Sequence, residues 1–394
     1  MIQTFSRKNK YQCCGCELCA TVCPISIISM RADEEGFLYP TIKDSTACID
    51  CHLCEIKCPI LNRCVSGNNT LRFLSAISKD EDNIKTSSSG GIATIISELF
   101  IGEGGVVYGV KYAKDFETIE YSRADSKEDL FAFKTSKYCQ SSKGEIWKDI
   151  KEDSTHGRNI LFIGLPCEIA ALNNLFPNKD NIFTVELVCH GVTSPLVHES
   201  YIKSIKSTGD YSQSVMDYFS VRYKLTGWKP YYINAHFSDG KQFLRPFKSS
   251  PYDIAFRYLK RPSCNQCCFK YGDKQYGLQA DITIGDNHGV RKDAKTYNKW
   301  GSSVVLVHTV KGQELLDSIS SVTVFEEEKE DLVFQNLALY KSFPMKTNRY
   351  AFSRAFVSQG LFAACKLPSV VFNEKRIEII KIIKSFKQRL RKLF

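Results

Sequence analysis

The chain has 394 residues, 43% hydrophobic and 24% charged, with 17 cysteines; this is the composition of a soluble globular protein too long for one core, and about two or three domains are expected. No apolar run approaches the roughly 18 residues that span a bilayer, and "MIQTFSRKNKYQCC" lacks the apolar centre of a signal peptide, so a cytoplasmic location is expected, with the cysteines as metal ligands and not disulfides. Of the formal charge of +10, residues 366–394 carry +7, the rest of the chain is nearly neutral, and no basic stripe interleaved with aromatics suggests nucleic acid as a partner.

The first elements in chain order are two cysteine runs. "CCGCELCATVCP" at 13–24 places Cys13, Cys16, Cys19 and Cys23 in the pattern Cys-x-x-Cys-x-x-Cys-x-x-x-Cys-Pro, and "CIDCHLCEIKCP" at 48–59 repeats it with Cys48, Cys51, Cys54 and Cys58. This is the bacterial ferredoxin run, in which three thiolates of one loop take three irons of a cubane cluster and the fourth reaches the other cluster. The expected ligand sets are Cys13, Cys16, Cys19 with Cys58, and Cys48, Cys51, Cys54 with Cys23. A zinc site is the alternative; two full runs with both prolines favour iron and sulfur. Cys14 and Cys64 fall outside the spacing and read as small buried side chains, and His52 as a loop residue.

A polar linker, "VSGNNT" at 65–70, precedes alternating strands and helices. "RFLSAIS" reads as a strand, "SSSGG" at 87–91 opens the helix "IATIISELF", "GGVVYGVKY" reads as a strand and "GEIWKDIKED" as a short helix. A glycine loop entering a helix presents backbone N–H groups to an anion, although a serine-capped helix start explains it equally well.

"NILFIG" at 159–164, "CEIAALNNL" and "IFTVELV" at 182–188 form a strand-helix-strand unit whose strands should be parallel. Cys167 and Cys189 follow the two strands, on the carboxyl edge where such sheets place ligands. "RPSCNQCC" adds Cys264 and Cys267, with Cys268 as a substitute. A third cluster, buried free cysteines and zinc are the readings open from spacing. In the tail, Ile377, Ile380, Ile383, Phe386, Leu390 and Phe394 recur at steps of three and four among basic residues, making an amphipathic helix that docks on its own protein or contacts a membrane surface or partner.

The ordered stretches "SSSGG", "YCQSSKGEIW", "LFIGLPCEIAALN", "ELVCHGVTSP", "RPSCNQCC", "ADITIGD" and "GSSVVLVHT" resemble the coenzyme F-420 hydrogenase/dehydrogenase beta-subunit family, over roughly residues 70–310, with a dicluster ferredoxin region in front. The resemblance implies an α+β (mixed α/β) chain: a dicluster 4Fe-4S domain over 1–66, an FAD-binding core in two parts, 70–155 and 156–325, and a helical extension over 326–394. The core is expected to fold and hold FAD without residues 1–66. Cys167, Cys189, Cys264 and Cys267 match the family's cluster cysteines. Ser89, Gly90 and Gly91 match a loop expected at FAD, Tyr138, Gln140 and Ser141 a second flavin-side motif, and Asp281, Gly285, Asp286 and Gly289 a strand and loop near it. Two departures are Asn287-His288, where many relatives have an aromatic pair, and Leu165 in place of a usual threonine.

The implied activity is electron transfer between a ferredoxin-like carrier or partner subunit, three 4Fe-4S clusters, FAD and a small-molecule substrate or deazaflavin coenzyme. His190 or His288 could supply a proton, though a structural role suits each, and no catalytic acid is assigned. The alternatives are a non-catalytic relay subunit, a reductase serving surface-polysaccharide biosynthesis, and a zinc-stabilised interaction protein.

Overall fold

Runs of β-branched and aromatic residues become thirteen strands among the residues that the computed structural model describes, which are 10–62, 70–177, 180–273 and 277–390. They are β1 Ile28–Ala32, β2 Leu38–Ile42, β3 Arg72–Ser78, β4 Val106–Tyr112, β5 Ile119–Ala124, β6 Ile160–Gly164, β7 Ile182–Leu187, β8 Met216–Lys224, β9 Tyr231–Phe237, β10 Gln242–Pro246, β11 Ile282–Asp286, β12 Ser303–Val307 and β13 Val322–Glu326. Cys64 and most of the expected linker lie outside the described residues, as does Phe394.

One mixed sheet organises the middle of the chain, in the order β13-β3-β12-β11-β7-β6-β4-β5. β4, β6, β7 and β11 are parallel, and β12 runs antiparallel to both β11 and β3, so β3 points the same way as the central four. Because both faces are covered, these strands read as continuous apolar runs; every residue of β12 is buried. The expected strands and helices of residues 72–188 all form, each within about two residues of the expected limits. Both parts of the expected core contribute to this one sheet, since β4 pairs with β6 across the 155/156 division.

A second sheet, β10-β9-β8, is antiparallel. Helices Pro195–Lys206 and Pro251–Tyr258 pack on it, each started by a serine cap with proline in its first turn. The helices Arg349–Gln359 and Leu361–Cys365 join the same core through Phe352, Phe356 and Leu361. The chain's C-terminal helices are thus part of the main body. The last helix, Pro368–Leu390, docks by Val370 and by an ion pair of Glu374 with Arg257. Beyond that its expected apolar face does not continue inward, because Ile380 and Ile383 are exposed. Among the described residues no helix is long and apolar enough to cross a membrane.

In the N-terminal unit β1 and β2 form a hairpin, flanked by one-turn helices Leu18–Thr21 and Leu53–Ile56. The two cysteine runs fold alike. Gly15 and Asp50 take φ of 72° and 47°, and Glu17 and His52 take 63° and 56°, at matching places in each run. Left-handed residues turn the loop sharply enough for thiols three apart to face the same way.

Candidate functional site

The carboxyl ends of β3, β6, β7 and β11 lie on one edge of the large sheet, and the loops that follow them carry the candidate residues. Cys167 is in the first turn of helix Pro166–Leu175, after β6. Leu165, at the helix N-cap, has no side chain to accept a hydrogen bond; the Glu168 carboxylate accepts the Leu165 N–H instead, at 2.8 Å. Cys189 follows β7, where its sulfur accepts the Gly191 N–H at 3.2 Å. Gly191 has φ of 100°, and a side chain there would stand 3.0 Å from Cβ of Cys264, so this turn requires glycine for conformation and for close approach. Cys264 lies in the short 3-10 helix Pro262–Gln266 and Cys267 just after it.

These four thiols line one cavity of about 150 Å³, together with Cys14 and Cys268. A void of that size holds a benzene-sized guest in other proteins, the scale of an iron–sulfur cubane core. The neighbouring Cys14 thiol, with burial, raises Cys167 above the ordinary thiol value, and burial raises Cys189 and pushes Cys264 up to about 11; iron would remove those protons by its own charge. Soft thiolates on several walls of one cavity are the donor set a cluster takes.

The N-terminal cysteines form two further groups. Cys13, Cys16, Cys19 and Cys58 are all buried and lie close enough to interact electrostatically with one another. Cys23, Cys48, Cys51 and Cys54 surround a smaller void of about 20 Å³ whose outer member, Cys51, is exposed. These are the cysteines of the two expected ligand sets, and Cys19 of the first also lies near Cys54 of the second. His52 is exposed and hydrogen-bonded to Glu55 at 2.8 Å. Among the described residues no three His, Cys, Asp or Glu side chains converge as ligands of a single metal ion would.

Buried polar contacts fix the N-terminal unit to the core. The Arg261 guanidinium, fully buried, donates to Cys13 O at 2.7 Å, Leu38 O at 2.9 Å and Gln140 Oε1 at 2.7 Å. Gln140 Nε2 donates to Gly15 O at 3.0 Å and Trp147 Nε1 to Cys16 O at 2.9 Å. Arg349 forks onto Glu35 at 2.7 and 2.5 Å, a bidentate pair that fixes orientation as well as distance.

The second cluster of polar groups lies on the same edge, after β3 and β11. Arg222, on β8 and 5% exposed, donates to Tyr138 Oη at 2.7 Å, Ser88 O at 2.8 Å and Asp286 Oδ2 at 2.9 Å. Burial would raise Asp286, but Arg222 and His288 beside it prevail and hold its carboxyl below the ordinary value. Ser89 Oγ donates to Ser302 O at 2.7 Å, and Lys224 Nζ to Ser89 O at 2.9 Å. Burial lowers Lys224 to about 7. Trp228 stacks on His288 with rings 6.0 Å apart, and His190 approaches His288 from the cysteine side at 6.2 Å. Burial pushes His190 down to about 4.

The structure therefore brings together Ser89, Gly90, Gly91, Tyr138, Gly285 and Asp286, with Gly289 exposed in the adjoining loop. It does not bring Gln140, Ser141 or Asp281 there. Gln140 joins Arg261 at the N-terminal unit, and Ser141 accepts from Lys143, whose ion pair with Glu168 at 2.7 Å borders the cysteine cavity. Asp281 precedes β11 at its opposite end, accepting from Thr184 and Thr309. The glycines also have a reason internal to the protein: a Cβ on Gly90 would stand 2.6 Å from Ala76 O, and one on Gly91 2.6 Å from the Asn83 amide. Sequence reading missed Arg222, Lys224, Trp228 and Arg261; the one available signal was an arginine inside the alternating run "FSVRYK".

Three buried atoms on this edge lack a hydrogen-bond partner, Arg222 Nε, Asn287 Oδ1 and Ser302 Oγ. Together with the buried cations Arg222 and Lys224 they fit an anionic, hydrogen-bonding cofactor.

No curated protein matches the chain. A solved structure of the F420-reducing [NiFe] hydrogenase complex from Methanosarcina barkeri is similar at 19% identity and a TM-score of 0.46, covering 68% of this chain and 88% of that one. Residues 157–332 match the family model that describes the C terminus of the coenzyme F420 hydrogenase/dehydrogenase beta subunit. That segment, a little under half of the chain, holds β6, β7, β11 and β12 and the four core cysteines, and over it the chain is similar to the C terminus of that beta subunit.

Proposed function

We propose that the chain is an iron–sulfur flavoprotein oxidoreductase, with two 4Fe-4S clusters on the N-terminal cysteines, a third on Cys167, Cys189, Cys264 and Cys267, and FAD at the polar edge around Ser89, Tyr138, Arg222 and Asp286. The observation that carries this reading is the gathering of the twelve candidate cysteines at three places, from the void beside exposed Cys51 to the cavity at the sheet edge, which Cys14 and Cys268 also line. When bound, clusters exchange single electrons and flavin exchanges one or two, so the combination converts between the two kinds of transfer.

The chain's own residues have separate tasks in this reading. Arg261 and Arg349 hold the N-terminal unit against the core, Arg222 and Lys224 offset negative charge at the edge, and Trp228 supplies an aromatic face where Asn287-His288 replace the family's pair. His190 and His288 stand between the cysteine cavity and the polar edge, where a neutral ring can accept or donate a proton.

A relay reading, with the active centre on a partner subunit, has one observation in its favour. Ile25 and Ile49, which line the void of the outermost cysteine group, are exposed, as are Leu53, Ile56 and Leu61 along the second cysteine run, a surface suited to a ferredoxin-like carrier or a partner chain.

Anaerobically purified or reconstituted protein is expected to contain about twelve irons and twelve sulfides and about one FAD per chain. Cys267→Ser should remove about four irons. Arg222→Gln should deplete FAD and spare iron. Protein that takes up zinc in place of iron, or stays free of flavin after reconstitution, would sink the reading. Flavin bound without turnover until a partner is added would select the relay form.

A further inference from the structure

The last helix, Pro368–Leu390, has two opposite faces of different chemistry. One face docks: Val370 is fully buried, Glu374 pairs with Arg257, and Ser369 O accepts the Asn348 side-chain amide at 3.2 Å. At about 100° per residue, Phe372, Ile379 and Ile383 lie roughly 140–180° around the axis from Val370 and Glu374. These three are 67%, 57% and 49% exposed. Single exposed apolar side chains are ordinary, whereas a row of large ones along one helix face calls for a partner. In the sequence the same spacing continues to Phe386 and Leu390. Lys375 and Arg376, both exposed, border the row, and from Lys375 to Leu390 the chain has six Lys or Arg and one Glu.

We propose that this outer face is a membrane-surface anchor, with the helix lying in the headgroup layer of an anionic bilayer. Phe372, Ile379 and Ile383 face the acyl chains, and Lys375 and Arg376 meet the lipid phosphates, their stems kept on the apolar side. Among the described residues no helix is long and apolar enough to cross a membrane, so the contact is one of lying on the surface. Charge selects lipid over a second copy of the chain: two such helices meeting along this face would place Arg376 in the seam and oppose one basic helix to another. Because Val370 and Glu374 hold the helix to the core, the anchor carries the whole body of the protein with it.

The test is flotation of the full chain with vesicles of phosphatidylcholine alone or mixed with phosphatidylglycerol, at low and high salt; its readout requires neither iron nor flavin. The expected result is flotation with the phosphatidylglycerol vesicles, weakened by salt, and much less with phosphatidylcholine alone. Ile379→Ser combined with Ile383→Ser should lower the bound-to-free ratio at least about tenfold. Lys375→Gln and Arg376→Gln should each lower it about fivefold on the anionic vesicles. Val215→Ser, which removes a side chain 70% exposed outside this helix, should leave binding unchanged. All these side chains are exposed, and an unchanged thermal transition confirms that each variant folds. Equal binding to both kinds of vesicle, or full binding by the double serine variant, would overturn the proposal. So would a wild-type chain that does not float: a concentration-dependent dimer abolished by the double variant would then assign the face to a second copy, and a monomer would leave it to a protein partner.

Discussion

In the N-terminal unit Cys13, Cys16 and Cys19 fall within seven residues, and backbone turns at Gly15 and Glu17 bring them together. In the core, Cys167, Cys189 and Cys264 are separated by 22 and 75 residues, and strand order alone brings them together. The first arrangement needs only a tight loop, which explains its recurrence at 48–58 with the same left-handed positions. The second needs parallel β6 and β7 to end on one edge and Gly191 to let the segment at Cys264 approach. The contrast suggests two independent modules, one local and one built by topology. The interface contradicts that independence, because the groups that fix the N-terminal loops belong to the core: Arg261, Gln140, Trp147 and Arg349.

Deleting residues 1–66 should have the largest effect. The expectation from the core's own strands and helices is a core that folds alone, but the deletion would strip partners from Arg261 and Arg349, 0% and 2% exposed, and uncover Trp147. Buried charges that lose their partners are strongly destabilising. The expected outcome is a truncated chain recovered in low yield, with a thermal transition far below that of the full chain or none. A truncated chain with an unchanged transition would restore the picture of two separable modules.

A single substitution makes the same comparison more sharply. Arg261→Ala removes a guanidinium that bonds both sides of the interface, leaving Cys13 O, Leu38 O and Gln140 Oε1 without that donor. The expected loss is about 3 kcal/mol, from buried acceptors left without a charged donor, measured by chemical denaturation of the metal-free protein. Cys13 should also become more reactive to a thiol reagent, since its loop loses an anchor. A loss below about 1 kcal/mol, the range of an exposed ion pair, would mean that the interface is held by other contacts.

These interface residues also mark the limit of what the sequence discloses. Cysteine spacing is a local signal, so the N-terminal groups could be drawn from 13–24 and 48–59 alone, and the strand-helix-strand pattern placed Cys167 and Cys189 on one edge. The pairing of Glu35 with Arg349 spans 314 residues and follows no period, so nothing in either neighbourhood announces it. Strand polarity separates Asp281 from Asp286: the first precedes β11 and the second ends it, on the loop side. Reading "ADITIGD" as one motif merged two ends of a strand. Gln140 and Tyr138 are two apart and would share a face on a regular strand, yet they meet different neighbours, one Arg261 and one Arg222, because the segment between them is an isolated bridge and not a regular strand.

The smallest effect, per residue, concerns protons. The histidine of the N-terminal unit, His52, is exposed beside Glu55, whereas His198 and His308 are enclosed in the core and hydrogen-bonded, His198 to Phe116 O and His308 to Thr283. Burial pushes both core rings down to about 4, from an unfolded value of about 6.5. Between those values the unfolded chain binds the protons that the folded chain refuses, so stability rises with pH through this window and is lost as pH falls below about 6.5. From pH 7 to pH 5 each ring should cost about 2 kcal/mol. Chemical denaturation at stepped pH, with the ring protons followed by NMR in the metal-free protein, measures both quantities. Core rings that titrate near 6.5, or a stability that stays level down to pH 5, would show that the core admits water where the structure closes it.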